Sequence, residues 1–272
     1  MITPRATNKF KQIIFRLKRK LFPLPDYPKL ISQISSLKQA IDYANSKSTS
    51  TGVSQPDYYN LYNYVRLTQP KYVLECGTGK STIVIAQAML DNQLNNPTDA
   101  RLQKMKLVSM EDKKDWYEHS KQNIPQEFHS FVEIHHSKLS FASYSLLSGV
   151  VYETIPKYPY DFMFIDGPDQ SGGTGITKCD FDIIKYVSTS DHPVSAFIDN
   201  RKHTILACTL AFGQDKVTFY PNEALGYVAP VTKKDLVIAD KISLRNSLFK
   251  NGGITLSPKP FLKTLPFNNK AS

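Results

Sequence analysis

The stretch Lys71-Tyr-Val-Leu-Glu-Cys-Gly-Thr-Gly-Lys-Ser-Thr-Ile-Val-Ile-Ala86 limits what this chain can fold into more than any other segment. It reads as a short buried strand over 72–75 that ends in an acidic residue (Glu75), a glycine turn (Gly77, Gly79), and a helix from about 81 to 90. A strand–glycine–helix turn brings bare backbone N–H groups up against a ligand at a helix N-terminus. The residues around the glycines separate the ligand classes that such turns serve.

Gly79-Lys80-Ser81 resembles the end of a Walker A phosphate loop, which needs a first glycine five positions before the second. Leu74 occupies that position, inside the strand, so consecutive amides cannot wrap a phosphate. The dinucleotide fingerprint Gly-x-Gly-x-x-Gly fails at Thr82. Glu75 stands where a pyrophosphate would pass and repels it. A carboxylate there suits a ligand with a cationic amino group instead. S-adenosylmethionine fits that requirement, with an amino-acid end, a sulfonium and no phosphate.

From 71 onward, strand and helix patterns alternate, which argues for a parallel sheet with helices on both faces. Strands are expected at 106–110, 131–135, 161–165 and 194–198, then at 216–220 and 226–231 as a terminal pair. Helices are expected at 113–122, 178–187 and 202–212, and the Asn-rich segment 91–100 reads as a polar loop. Ahead of the glycine turn, 28–46 reads as one helix and 58–67 as another, rich in tyrosine. The final 40 residues show no clear pattern.

In such a sheet, ligands sit beyond the carboxyl ends of the strands. Strand one ends in Glu75, strand two in Glu111-Asp112, strand three in His136-Ser137-Lys138, strand four in Asp166-Gly167-Pro168 and strand five in Asp199-Asn200-Arg201. Like charges clustered on one edge are costly unless a ligand, a cation or donors compensate them. Glu111 is placed to accept both ribose hydroxyls of an adenosine. Asp112 is the next candidate, although its side chain should point to the opposite face.

Glu75-x-Gly77-x-Gly79, the run Ser109–Trp116 and the segment Tyr160–Pro168 resemble, in order, the first, second and fourth motifs of class I S-adenosylmethionine-dependent methyltransferases. The resemblance spans about 56–232. It implies a doubly wound, Rossmann-like α/β fold with a seven-stranded, mostly parallel sheet and an antiparallel C-terminal strand pair. It also implies cofactor contacts from Glu75, Cys76, Gly77, Gly79, Ser81, Glu111, Asp112, Ser137, Lys138 and Asp166, with Trp116 either at the adenine or in the core. Asp166-Gly-Pro stands where base-nitrogen methyltransferases carry an Asn/Asp-Pro-Pro-aromatic motif, which argues for an oxygen acceptor. In catechol-type O-methyltransferases the places of Asp166, Asp199 and Asn200 hold a divalent cation. Arg201 follows directly and offers a fixed positive charge instead, so magnesium is the less favoured route. Without a metal, Asp166, Asp199 and His203 are the candidate bases, and Asn200 and Arg201 the candidate acceptor contacts.

Composition narrows the setting. The 272 residues are 41% hydrophobic and carry a formal charge of +10. Seven basic residues and no acid lie in 1–22, so the body is close to neutral and no specific nucleic-acid partner is expected. Phe10, Ile13, Ile14, Leu17 and Leu21 form one stripe of an amphipathic basic helix over 8–22 that suits the surface of an anionic membrane, a partner subunit or the body of the protein. Three scattered cysteines favour a reducing compartment, and hence a cytoplasmic protein with the option of peripheral membrane contact.

The sequence therefore divides into a basic helical extension (1–55), a methyltransferase-like domain (56–235) and a C-terminal extension (236–272). The expected function is methyl transfer to an oxygen of a small molecule or glycan. The alternatives are a non-catalytic protein of the same fold that binds the cofactor or acts as a scaffold, and a P-loop-like nucleotide binder.

Overall fold

The computed structural model describes residues 22–48, 54–168, 179–237 and 254–265. The basic helix expected over 8–22 lies outside these residues except for Phe22, as do the glycine-rich segment 171–175 and most of 236–272. Three helices precede the sheet: α1 (Tyr27–Ser32), α2 (Ser35–Lys47) and α3 (Gln55–Thr68). The single helix expected over 28–46 is thus broken at Gln33 and Ile34. The glycine-turn strand β1 (Tyr72–Cys76) leads into α4 (Lys80–Asn95), followed by β2 (Lys106–Glu111), α5 (Lys114–Gln122) and β3 (Val132–His136).

A hairpin of β4 (Leu139–Tyr144) and β5 (Leu147–Tyr152) comes next, absent from the sequence expectation. Then come β6 (Phe162–Ile165), β7 (Cys179–Asp180), α6 (Asp182–Thr189), β8 (Val194–Asp199), α7 (Lys202–Phe212), β9 (Val217–Tyr220), β10 (Leu225–Val231) and β11 (Thr255–Leu256).

Among the described residues the main sheet runs β11-β9-β10-β8-β6-β1-β2-β3. β8, β6, β1, β2 and β3 are parallel, and β10 is antiparallel to both β8 and β9. The doubly wound α/β fold expected from the sequence is therefore present, with the two-residue β11 adding an eighth strand at the edge. A second, small sheet pairs β4, β5 and β7.

The central strands are mostly apolar because both faces are covered. Val73, Leu107, Phe162, Phe164 and Phe197 face α3 and α4 with Phe261. Leu74, Val108, Met110, Met163, Ile165, Ala196 and Ile198 face α6 and α7. Tyr64 of α3 packs on Phe162 and Phe197 at ring-centroid distances of 4.9 and 4.8 Å, and its hydroxyl bonds Ser195 Oγ at 2.9 Å. The two-residue periodicity of a strand carries this facing on to the strand ends. Glu75 falls on the α4 side, and Asp166 and Asp199 fall on the α3 side.

Candidate active site

The glycine turn is built by close packing on one side and open space on the other. Gly77 has φ +95°, a conformation that favours glycine. A Cβ on it would meet the Gly167 nitrogen at 2.8 Å, so the turn after β1 rests directly on the loop after β6. Gly79 has an extended backbone, and a Cβ there would meet nothing within 4 Å. Thr82 Oγ1 accepts from Gly79 N at 3.1 Å and donates to Glu75 Oε2 at 2.5 Å, tying the turn to the helix behind it.

Glu75 is fully buried. Besides Thr82, it receives Ser81 Oγ at 2.6 Å and Ser109 Oγ at 2.5 Å. Burial pushes its carboxyl up to about 7 against the opposing pull of these three hydroxyls. The residue expected to meet a cationic ligand thus faces the protein's own hydroxyl groups, and Ser81 is committed to it. Cys76 is buried in the opposite core layer, which raises its thiol far above the reactive range.

Glu111 is buried at the end of β2. Its Oε1 accepts from Asp112 N (3.1 Å) and Lys113 N (3.0 Å), and its Oε2 from Thr78 N (3.3 Å). Burial raises its carboxyl above the usual range. Asp112 is half-buried beside it, and its carbonyl bonds His136 Nε2 at 3.1 Å. Ser137 is buried, donating its N–H to the Glu111 carbonyl at 2.9 Å and receiving Thr154 N on its Oγ at 3.1 Å, while Lys138 is exposed. Trp116 is 39% exposed on α5 and stays out of the core.

Asp166 and Asp199 come together. The register Phe164↔Phe197 and Ile165↔Ile198 brings the ends of β6 and β8 side by side, so that the Asp166 charge acts on Asp199. Burial raises Asp166 to about 6, opposed by Arg201. Burial, with the Asp166 charge beside it, raises Asp199 to about 7. Arg201 Nη1 donates to Asp180 Oδ1 (3.0 Å) and to the Pro168 carbonyl (2.7 Å). Its Nη2 donates to the Asp166 carbonyl and lies 3.7 Å from Asp166 Oδ1. Asn200 is exposed with φ +38°, and its N–H donates to the Ala224 carbonyl at 2.7 Å. His203 is exposed on the first turn of α7.

Sequence reasoning missed four residues here. Asp180 is buried, and Thr204 Oγ1 donates to its Oδ2 at 2.7 Å. Asp57, Asn60 and Glu223 form a buried polar row under α3. Asp57 is raised to about 7, first by burial and then by the Asp199 charge. Glu223 receives the Tyr27 hydroxyl, Asn60 Nδ2 (3.1 Å) and Phe261 N (2.7 Å). Only Asp57 left a trace in the sequence, as the last residue of the capping pattern Ser54-x-x-Asp57. Asn60 and Glu223 also reach a cavity of about 720 Å3 shared with Tyr27, Tyr59 and Arg66.

Among the described residues, no group of three or more His, Cys, Asp or Glu side chains is placed to hold a metal ion. None of the described helices is long and apolar enough to cross a membrane.

No family model matches the chain, and no curated protein matches it. Several solved structures are similar in part. An O-methyltransferase from Bacillus cereus in complex with SAH is 15% identical, over 65% of this chain and 74% of that one, with a TM-score of 0.38. The SAH-bound methyltransferase PaMTH1 of Podospora anserina is 14% identical, over 76% and 74%, with a TM-score of 0.39. The O-methyltransferase TomG of Streptomyces achromogenes, in complex with SAM, is 16% identical, over 77% and 78%, with a TM-score of 0.35. Similarity at this level carries no weight for fold or chemistry. The fold rests on the sheet order above, and the chemistry on the side chains at its edge.

Proposed function

We propose that this chain is an S-adenosylmethionine-dependent methyltransferase acting on an oxygen of a small molecule or glycan. The observation that supports it best is the Asp166–Asp199 pair, beyond the ends of β6 and β8 and next to the glycine turn. An edge of carboxyls complements a ligand with cationic centres and repels a polyphosphate.

The residues present fit the cofactor. Gly79 leaves open space for a ligand to approach the backbone. Glu111 keeps acceptor capacity on Oε2, which takes one backbone N–H while Oε1 takes two, and this suits a ribose hydroxyl. When bound, the cofactor supplies an electrophilic methyl on a sulfonium. The protein's part is to align the acceptor with it and to take the acceptor's proton. Asp199, with a carboxyl near neutrality, is suited to exchange that proton, with Asp166 beside it on the neighbouring strand end.

A divalent cation at Asp166, Asp199 and Asn200 does not fit this arrangement. The Arg201 guanidinium already supplies a positive charge there, with Nη2 3.7 Å from Asp166 Oδ1 and bonded to the Asp166 carbonyl. The route proposed is therefore metal-free, with Arg201 as the fixed positive charge that holds the Asp166 loop against β7 and α7.

Titration calorimetry with SAH and with ATP tests the proposal. SAH is expected to bind and ATP to give no heat. ATP binding without SAH binding would overturn it. If SAH binds but labelled cofactor transfers no methyl to any component of a cell extract, the protein is a non-catalytic binder. Peripheral membrane contact through residues 8–22 is part of the same proposal. Equal liposome flotation with and without those residues would remove it.

A further inference from the structure

α3 brings to the acidic edge two buried acceptors that no donor among the described residues meets. Asp57 is 3% exposed. Its Oδ2 takes Ser54 N at 2.8 Å and Ser54 Oγ at 2.5 Å, while its Oδ1 has no hydrogen-bond partner. Asn60 Oδ1 is equally buried and unpartnered, although its amide nitrogen donates to Glu223. Three residues apart, the two side chains share one face of the helix. α3 covers the sheet face on which Phe164 and Phe197 lead to Asp166 and Asp199. The Asp199 charge raises the Asp57 carboxyl, and the Asp57 charge in turn raises that of Asp166.

Buried acceptors without donors are rare and costly. The groups that could relieve these are themselves acidic: Asp199, Asp166 and Glu223. Arg201 directs its guanidinium to Asp180, Pro168 and Asp166. Glu75, the other carboxylate that could meet a cation, is closed off by three hydroxyls. The place lacks a positively charged group with several N–H donors.

We infer that Asp57 and Asn60, facing the Asp166–Asp199 pair, form a receptor for an ammonium group of a bound ligand. The inference rests on the cofactor reading above and deepens it. Two sources carry that group: the amino-acid end of the cofactor, or an amine on the acceptor.

Calorimetry on wild type and Asp57→Asn, with SAH and with 5′-methylthioadenosine, which lacks the amino-acid end, separates the sources. If the cofactor supplies the ammonium, Asp57→Asn weakens SAH by roughly 10-fold or more, the scale of one charge-assisted hydrogen bond, and leaves 5′-methylthioadenosine unchanged. If the acceptor supplies it, SAH binds both proteins alike. Ethylamine then gives a saturation-transfer signal on SAH-loaded wild type that is lost in Asp57→Asn. Equal weakening of both nucleosides, or no effect on either without an ethylamine signal, overturns the inference. Failure of wild type to bind either nucleoside overturns the cofactor reading itself. Ser54→Ala guards against a role in helix capping alone: it removes a capping partner and keeps the carboxylate. It is expected to lower the thermal midpoint and leave the ratio of SAH to 5′-methylthioadenosine affinity at the wild-type value. A ratio shifted as in Asp57→Asn would also overturn the inference.

Discussion

Gly77 and Gly167 pack backbone against backbone: a Cβ on Gly77 would lie 2.8 Å from the Gly167 nitrogen, and one on Gly167 would lie 2.5 Å from Gly77 Cα. The contact joins the turn after β1 to the loop that carries Asp166. Gly79, two residues on, has no such neighbour. The two glycines should therefore fail in different ways when replaced. Gly77→Ala combines a backbone clash with a strained positive φ. Strain of that kind costs about 1–3 kcal/mol, and the expected result is a thermal midpoint lower by several degrees. Gly79→Ala is expected to keep the wild-type midpoint and lose SAH affinity, because its methyl fills the space left for the ligand. Differential scanning fluorimetry with and without SAH separates the two outcomes.

The raised carboxyls make stability of the ligand-free protein depend on pH in a defined direction. Glu75, Asp57 and Asp199 are raised to about 7 and Asp166 to about 6, against about 4 in an unfolded chain. Between those limits the folded state binds more protons than the unfolded one, so stability falls as pH rises. The ligand-free protein should have a higher thermal midpoint at pH 5.5 than at pH 8. Acid unfolding by other carboxylates sets in below this window, as for Asp235, which is lowered mainly by a backbone hydrogen bond from Thr232. A flat or rising midpoint from pH 5.5 to 8 would contradict the buried placement of these four groups.

Arg201 holds a fully buried partner. Asp180 has no exposed side-chain surface, and its Oδ1 lies 3.0 Å from Arg201 Nη1. Removing one member of such a pair leaves an uncompensated charge, at a cost of about 3 kcal/mol or more. Arg201→Met should destabilise the protein on that scale in urea unfolding. Arg201→Met combined with Asp180→Asn should recover part of the loss. If the single variant is as stable as wild type, Arg201 is not the structural cation of this site.

The glycine turn and the acidic strand ends were legible because central parallel strands, buried on both faces, appear as apolar runs that end abruptly in charge. Three other parts were not. The β4–β5 hairpin has one poorly covered face, with Phe141 70% exposed, and its two-residue turn places Ser145 at φ +53° without the Asn-Gly signal that marks such turns. The polar residues from Asp91 read as a loop, yet α4 continues to Asn95. Asp91 is met by the hydroxyls of Ser36 and Tyr62, at 2.7 and 2.5 Å, and Asn92 by Arg66 and the Val65 carbonyl, at 2.5 and 2.8 Å. Asp57 belongs to a local cap, and only the packing of α3 over the sheet brings it to Asp199. Long-range partners decided each case, and local pattern carries no record of them.

The sharpest test of the proposed chemistry is the contrast between Asp199→Asn and chelation. The substituted amide would keep the shape of the side chain, but it could not exchange a proton with the acceptor. General-base catalysis of this kind contributes about 10²- to 10⁴-fold. Once labelled cofactor has identified the acceptor, Asp199→Asn should lower kcat within that range while SAH affinity stays within a few-fold of wild type. The wild-type rate should follow the deprotonated form of Asp199, rising with pH to a plateau above about 7. EDTA should leave it unchanged, because Arg201 supplies the positive charge at this edge. Loss of activity in EDTA that added magnesium restores would assign Asp166 and Asp199 to a cation instead. The pH profile would then report deprotonation of the acceptor and not of Asp199.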